Sequence, residues 1–292
     1  MRVDEHTISL DDSPVYYRSA DRSGLPTLYL HGIPTSSDDW LEFLTRTGGI
    51  AADLIGFGRS GKGGHLDYSL AGMAGFVERL LGHLGVQEVQ LVGHDWGAAI
   101  GLAFAERNPG RVRRLVLCNP PPTAHDDWPR ILKWWRARGL GELLMGAIPK
   151  GLLARELRRG CVREDAWPDA RVTQVWDHFD QGTQRAILRL VRSAGDDVIG
   201  GSGPRPPIAT EAEGVGTVRD AEGVGTEGGR TEAKGGSTVL WGEEDPWYPA
   251  AVADAYAARL PGASVERIAG AGHWPWLDRP EVVDRVAALL EG

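Results

Sequence analysis

Val89-Gln90-Leu91-Val92-Gly93-His94-Asp95-Trp96-Gly97-Ala98-Ala99 runs from an apolar stretch, through two glycines that flank a His-Asp-Trp triplet, into helix-forming residues that reach Glu106. It predicts a strand, a tight turn and a helix, with Asp95 on the turn. Glycines suit positions 93 and 97 because a side chain at either would crowd so sharp a bend. This is a nucleophile elbow that carries a carboxylate instead of a hydroxyl. A carboxylate presented this way displaces a leaving group from saturated carbon and forms an alkyl ester, which water must then cleave. Aspartate also serves as an ordinary helix N-cap, so the assignment depends on partners elsewhere in the chain.

A second loop supports it. After the apolar run Thr27-Leu28-Tyr29-Leu30 comes His31-Gly32-Ile33-Pro34-Thr35-Ser36-Ser37, ending at Trp40. A loop that follows a strand in this way supplies one oxyanion-hole N–H, and the elbow supplies the other from Trp96. No second ligand lies at metal spacing from His31, so no metal is expected. His31 and His94 are read as structural histidines.

The chain has 292 residues, which suits a core domain with an inserted lid. Its net charge of -8 is spread along the sequence, and no basic arm or aromatic-basic interleaving is present. A polynucleotide partner is therefore not expected. Cys118 and Cys161 form neither a disulfide framework nor a CxxC pair, which fits a reducing compartment. The charged start Met1-Arg2-Val3-Asp4-Glu5-His6 has no apolar h-region, and no apolar run approaches a membrane span. The expectation is a cytoplasmic protein, monomer or homodimer, with no membrane partner and no cofactor.

The first part alternates strands and helices. An antiparallel hairpin is expected at 6–10 and 15–18, buried strands at 26–31 and 50–54, and an amphipathic helix along Leu70, Met73, Phe76, Val77, Leu80, Leu81 and Leu84. Strand 88–92, helix 97–107 and strand 112–118 follow. The fold class is thus α/β, a mostly parallel sheet with helices on both faces. Residues 123–194 hold helical stretches and no convincing strand, as an inserted helical cap would. A strand returns at 238–241, then a helix at about 249–260, a strand at 264–268, and a last helix that begins near Pro280 and Glu281. Residues 198–236 are glycine-rich and repeat Ala-Glu-Gly-Val-Gly-Thr at 212–217 and 221–226. Such a stretch buries too little apolar surface to offset its ordering entropy and reads as a flexible linker. The expected division is core 1–122, cap 123–197, linker 198–236 and core 237–292.

Two further candidates come late. Gly242-Glu243-Glu244-Asp245-Pro246 sets a carboxylate just past one strand, and Ala269-Gly270-Ala271-Gly272-His273-Trp274 sets a histidine past the next. Ligand chemistry in parallel α/β sheets gathers outside the carboxyl ends of the strands, so Asp95, Asp245 and His273 converge there. Their order, nucleophile then acid then histidine, is that of the α/β-hydrolase fold.

The motifs His31 to Ser37, Asp53-Leu54-Ile55-Gly56-Phe57-Gly58-Arg59-Ser60 and His94-Asp95-Trp96-Gly97 resemble the haloalkane dehalogenases and the related epoxide hydrolases of the α/β-hydrolase superfamily. The resemblance covers about 26–120 and 237–290 and is loose in the cap. It implies Asp95 as nucleophile, His273 as the base that activates water against the ester, and Asp245 as the carboxylate that orients His273. It further implies an N–H pair from Ile33 and Trp96, and an indole N–H of Trp96 aimed at a departing halide.

Two departures stand out. Dehalogenases usually pair that tryptophan with an asparagine at the place of Ile33, or with a second tryptophan from the cap. Isoleucine has no side-chain donor, so the second donor is sought among Trp134, Trp135, Trp167 and Trp176, with Trp134 or Trp135 preferred. Epoxide hydrolases instead use cap tyrosines, and residues 120–236 contain no tyrosine. An alkoxide leaving group profits from a phenolic acid, whereas halide needs only hydrogen bonds. The expected substrate is therefore a small halogenated organic molecule, with an epoxide as the alternative and a non-catalytic ligand binder as a third. Pro34, Trp247, Tyr248 and Trp274 are the expected pocket lining.

Overall fold

The computed structural model describes residues 1–21, 23–122, 127–194, 236–260 and 262–291. The glycine-rich linker reading therefore lies almost entirely outside the described residues. Among the described residues eight strands form one sheet: β1 Asp4–Leu10, β2 Ser13–Ala20, β3 Thr27–Leu30, β4 Gly49–Ala52, β5 Val89–His94, β6 Val112–Cys118, β7 Ser237–Gly242 and β8 Ser264–Ile268. Their spatial order is β1-β2-β4-β3-β5-β6-β7-β8. The β1/β2 and β2/β4 pairs are antiparallel and all others parallel. The residues explain the sequence of layers. Along β1 half-buried and exposed positions alternate, as on an edge, whereas every residue of the central β5 is buried.

Helices cover the sheet. Those of the first half are α1 Leu41–Thr47, α2 Leu70–His83 and α3 Trp96–Arg107. The Ser69 hydroxyl caps α2 by accepting from the Gly72 N–H at 3.0 Å, and Met73, Phe76, Val77, Leu80 and Leu81 form its buried stripe. Hydrophobic spacing located this helix to within a residue. The short α1 and the 3-10 turn Ser37–Trp40 before it were not anticipated, since neither is long enough to show a period.

Between β6 and β7 the described residues form five helices: α4 Arg130–Arg136, α5 Leu140–Gly146, α6 Lys150–Arg159, α7 Asp169–His178 and α8 Gln181–Ser193. No strand occurs among the described residues of this insert. It is bound to the sheet layer by polar contacts. Lys62 Nζ meets Asp180 Oδ2 at 2.9 Å, the Thr183 hydroxyl donates to Gly56 O at 2.9 Å, and Arg171 pairs with the buried Asp39 at 3.1 Å. After β7, α9 Ala251–Arg259 leads to β8, and α10 Pro275–Asp278 and α11 Glu281–Glu291 close the chain. Among the described residues no helix is long and apolar enough to cross a membrane.

Candidate active site

Asp95 stands between β5 and α3 with φ 49° and ψ -126°. A non-glycine residue held there costs about 1–3 kcal/mol, which the surrounding structure must over-determine. The neighbouring glycines allow it. A Cβ on Gly97 would lie 2.3 Å from Leu30 O and 2.4 Å from His31 O, and one on Gly32 would lie 2.6 Å from the Asp95 Cβ. Backbone meets backbone at Gly97, so neither side can yield cheaply. Gly97→Ala is accordingly expected to destabilise the fold by about 1–3 kcal/mol, read as a lower urea midpoint. An unchanged midpoint would mean that the β3 and α3 backbones are not in this contact.

The carboxylate of Asp95 is buried and divided between two sets of donors. Oδ2 accepts the Ile33 N–H at 3.1 Å, and Oδ1 accepts the Tyr248 hydroxyl at 2.8 Å. Burial pushes the Asp95 pKa above the usual carboxylate value, while His273, the Ile33 N–H, the Tyr248 hydroxyl and the Trp96 N–H pull it back.

Asp245 and His273 follow β7 and β8, so both side chains reach the same end of the sheet as Asp95. His273 Nδ1 donates to Asp245 Oδ2 at 2.7 Å. That bond leaves Nε2 as the basic nitrogen, 3.9 Å from Asp95 Oδ1 and beyond direct hydrogen-bond reach. Burial opposes charge on the ring, but the Asp245 charge and hydrogen bond, with the Asp95 charge, outweigh it and raise the His273 pKa. Asp245 is itself heavily bonded. Its Oδ1 accepts the N–H groups of Trp247 and Tyr248, at 2.9 and 3.1 Å, and its Oδ2 also accepts from the Asn119 amide at 2.9 Å.

Asn119 was missed in the sequence. It follows β6 as Asp95 follows β5, with φ 40°, and its side-chain amide oxygen accepts the Gly242 N–H at 3.0 Å. Its place just past a strand end is the signal that could have found it.

The two histidines read as structural are bonded accordingly. His31 Nε2 accepts the Leu54 N–H at 2.9 Å and its Nδ1 donates to Gly32 O at 2.8 Å. His94 Nε2 donates to the His273 carbonyl at 2.8 Å, and burial holds the ring neutral, well below its ordinary pKa. The insert adds a further restraint, because the His273 N–H donates to Gly160 O at 2.7 Å at the end of α6.

The aromatic residues are distributed unevenly. Trp247 and Trp274 set their rings edge-on to the His273 ring, at 4.8 and 4.9 Å, and Trp167 of the insert packs on Trp274. Pro34 is half-buried and joined to Ile33 by a cis peptide. Trp96 is fully buried, and its indole N–H has no acceptor among the described residues. The ring against it is not one of the four expected tryptophans. It is Trp128, edge-on at 5.7 Å, whose own N–H donates to Pro122 O at 3.0 Å. Trp134 lies at the surface, 46% exposed under Arg130. Its preference as a donor is corrected: a solvated indole is not part of a dry site. Trp135 is half-buried against the core and Trp176 packs on Phe179. Helical spacing could not say which face of α4 turns inward, nor reach Trp128, which precedes that helix.

A mostly parallel sheet of this order, with a carboxylate on the turn after β5 and a helical insert after β6, defines the α/β-hydrolase class. Residues 26–151 match the family model described as alpha/beta hydrolase fold. A haloalkane dehalogenase of Agrobacterium fabrum is 41% identical over 102 residues, 34% of this chain and 33% of that protein. Epoxide hydrolase 3 of Xenopus tropicalis is 34% identical over 130 residues, 41% of this chain and 35% of that one. The chain thus matches these curated relatives over about a third of their length. The crystal structure of haloalkane dehalogenase DbeA from Bradyrhizobium elkani superposes with a TM-score of 0.75 at 22% identity, covering 100% of this chain and 98% of that one. The chain thus has the α/β-hydrolase fold, and over part of its length it is similar to haloalkane dehalogenases and an epoxide hydrolase.

Proposed function

We propose that this protein is a hydrolase in which Asp95 attacks a carbon–halogen carbon and forms a covalent alkyl ester. The observation that carries this reading is the division of the Asp95 carboxylate: Oδ2 sits on the Ile33 N–H, and Oδ1 faces the His273–Asp245 pair. Attack through Oδ1 needs no base, because the carboxylate is already the nucleophile. Halide leaves as a stable anion and asks only for hydrogen bonds, which the buried Trp96 indole N–H offers. In the second half, His273 Nε2 takes a proton from water as the oxygen adds to the ester carbon. The charge that develops on Oδ2 falls on the Ile33 and Trp96 N–H groups. Asp245 holds the ring in the required tautomer and stabilises the imidazolium.

The same nucleophile would open an oxirane, and the likeness to an epoxide hydrolase keeps that reaction in view. The position of Tyr248 speaks against it. Displacement is in line, so the departing atom lies on the far side of the carbon from Oδ1. A phenol bonded to Oδ1 is on the wrong side to protonate a departing oxirane oxygen. A ligand carrier without chemistry has no use for the assembled base and its oriented carboxylate. The helices between β6 and β7 act in this scheme as a cap that excludes water.

The test is a panel of haloalkanes and epoxides, followed for halide and for diol. Halide release is expected. A single turnover in heavy-oxygen water is expected to leave the label in Asp95 and unlabelled oxygen in the alcohol, since water attacks the ester carbon. Label in the first alcohol formed would mean direct attack by water and would remove Asp95 as nucleophile.

A further inference from the structure

From the bond between Tyr248 and Asp95 we infer that Tyr248 is the acid of the second half-reaction, delivering its proton to the alkyl oxygen of the ester as the alcohol departs. The inference rests on the covalent reading above. Its starting point is which oxygen the phenol touches. Oδ2 is committed to the backbone N–H of Ile33, so Oδ1 is the oxygen that takes the alkyl group. The Tyr248 hydroxyl donates to Oδ1 at 2.8 Å. A carboxylate oxygen has two lone pairs, so one receives the phenol while the other attacks carbon. Once the ester has formed, Oδ1 is its bridging oxygen, and the phenol is already within proton-transfer reach of the atom that becomes the product hydroxyl.

The placement is rigid. The Tyr248 N–H donates to Asp245 Oδ1, so the carboxylate that orients His273 also fixes the backbone that carries the phenol. The Tyr248 ring lies edge-on to the His273 ring at 5.2 Å, and the side chain is buried. One loop therefore delivers the acid for the alcohol and the carboxylate behind the base.

The protons and bonds balance. His273 takes one proton from water while the oxygen bonds to Cγ, giving a tetrahedral centre with its negative charge on Oδ2. Collapse restores the Cγ–Oδ2 double bond and breaks Cγ–Oδ1, and the electron pair leaves on Oδ1. Tyr248 gives its proton to Oδ1, and the alcohol is complete. The new carboxyl group, whose second oxygen came from water, passes its proton to the phenolate and restores the resting hydrogen bond. His273 releases its proton to solvent. Charge supports this order of events: burial and the negative Asp95 hold the phenol far above its ordinary pKa in the resting protein, and esterification removes that negative charge. The phenol becomes a better acid at the stage that uses it.

The test compares wild type and Tyr248→Phe with 1-bromobutane and 1,2-dibromoethane, by rapid quench with mass analysis of the Asp95 peptide. Phenylalanine keeps the packed ring and removes only the hydroxyl. Alkylation is expected to be unimpaired and ester decay to slow about a hundredfold, so that kcat and KM fall together while kcat/KM is retained. The defect should be smaller with 1,2-dibromoethane, whose 2-bromoethyl ester releases a more acidic alcohol and needs less help from an acid. A merely structural role would not sense the alcohol. Normal ester decay in Tyr248→Phe, or equal defects with both substrates, overturns the inference while leaving the covalent reading intact. His273→Gln, run in parallel, separates the two: if it accumulates no ester with either substrate, the covalent reading falls and this inference falls with it. A Tyr248→Phe protein that loses native circular dichroism would show the hydroxyl to be structural and would also count against the inference.

Discussion

His273→Gln is expected to stop the reaction halfway, with the alkyl group left on Asp95. Alkylation needs only the Asp95 carboxylate, whereas cleavage of the ester needs a base for water. Glutamine can still donate to Asp245, which keeps its bonds from Trp247, Tyr248 and Asn119. The fold should therefore survive, and steady-state turnover should fall by at least about a hundredfold. After exposure to a substrate that wild type consumes, the Asp95 peptide should gain the mass of the alkyl group, close to one equivalent per chain. An unmodified Asp95 peptide under those conditions would sink the covalent mechanism.

Trp96→Phe is expected to cost about a hundredfold or more in halide release. The ring and its packing against Trp128 are kept, and only a buried N–H with no acceptor among the described residues is lost. In a water-poor site a developing anion has few other donors, so the loss is felt in the transition state. Added halide should inhibit the wild type and quench tryptophan fluorescence, and both effects should weaken in Trp96→Phe. Unchanged halide release in the variant would place the leaving group elsewhere. If diol formation then proved to be the faster reaction, epoxide hydrolysis would become the preferred activity.

Local patterns made the strands and the long helices readable. Apolar runs marked β3, β5, β6 and β7 because parallel central strands are buried on both faces, and spacing marked α2 because one stripe of it is buried. Strand β8 was found at its observed limits, although its residues are at most half-buried. The carboxylate after β7 and the histidine after β8 were legible from order alone, since topology brings strand ends together. The insert was legible as helices and illegible as a surface. Eleven tryptophans offer too many candidates when a chain cannot say which pack against one another, and the four favoured ones did not include Trp128.

By itself the sequence determined the α/β class, the elbow at Asp95, the order of the three candidate residues and the helical nature of the insert. Each of these depends on neighbours in the chain, through turn sterics, hydrophobic period or position after a strand. Tertiary structure alone decided which contacts serve the carboxylate. Asn119 reaches Asp245, Trp128 meets Trp96, Trp134 turns to solvent, and Tyr248 touches Asp95 across 153 positions of sequence. Hydrogen bonds of under 3 Å depend on where whole loops come to rest, and that is set by the packing of the sheet and the insert together, which no local pattern encodes.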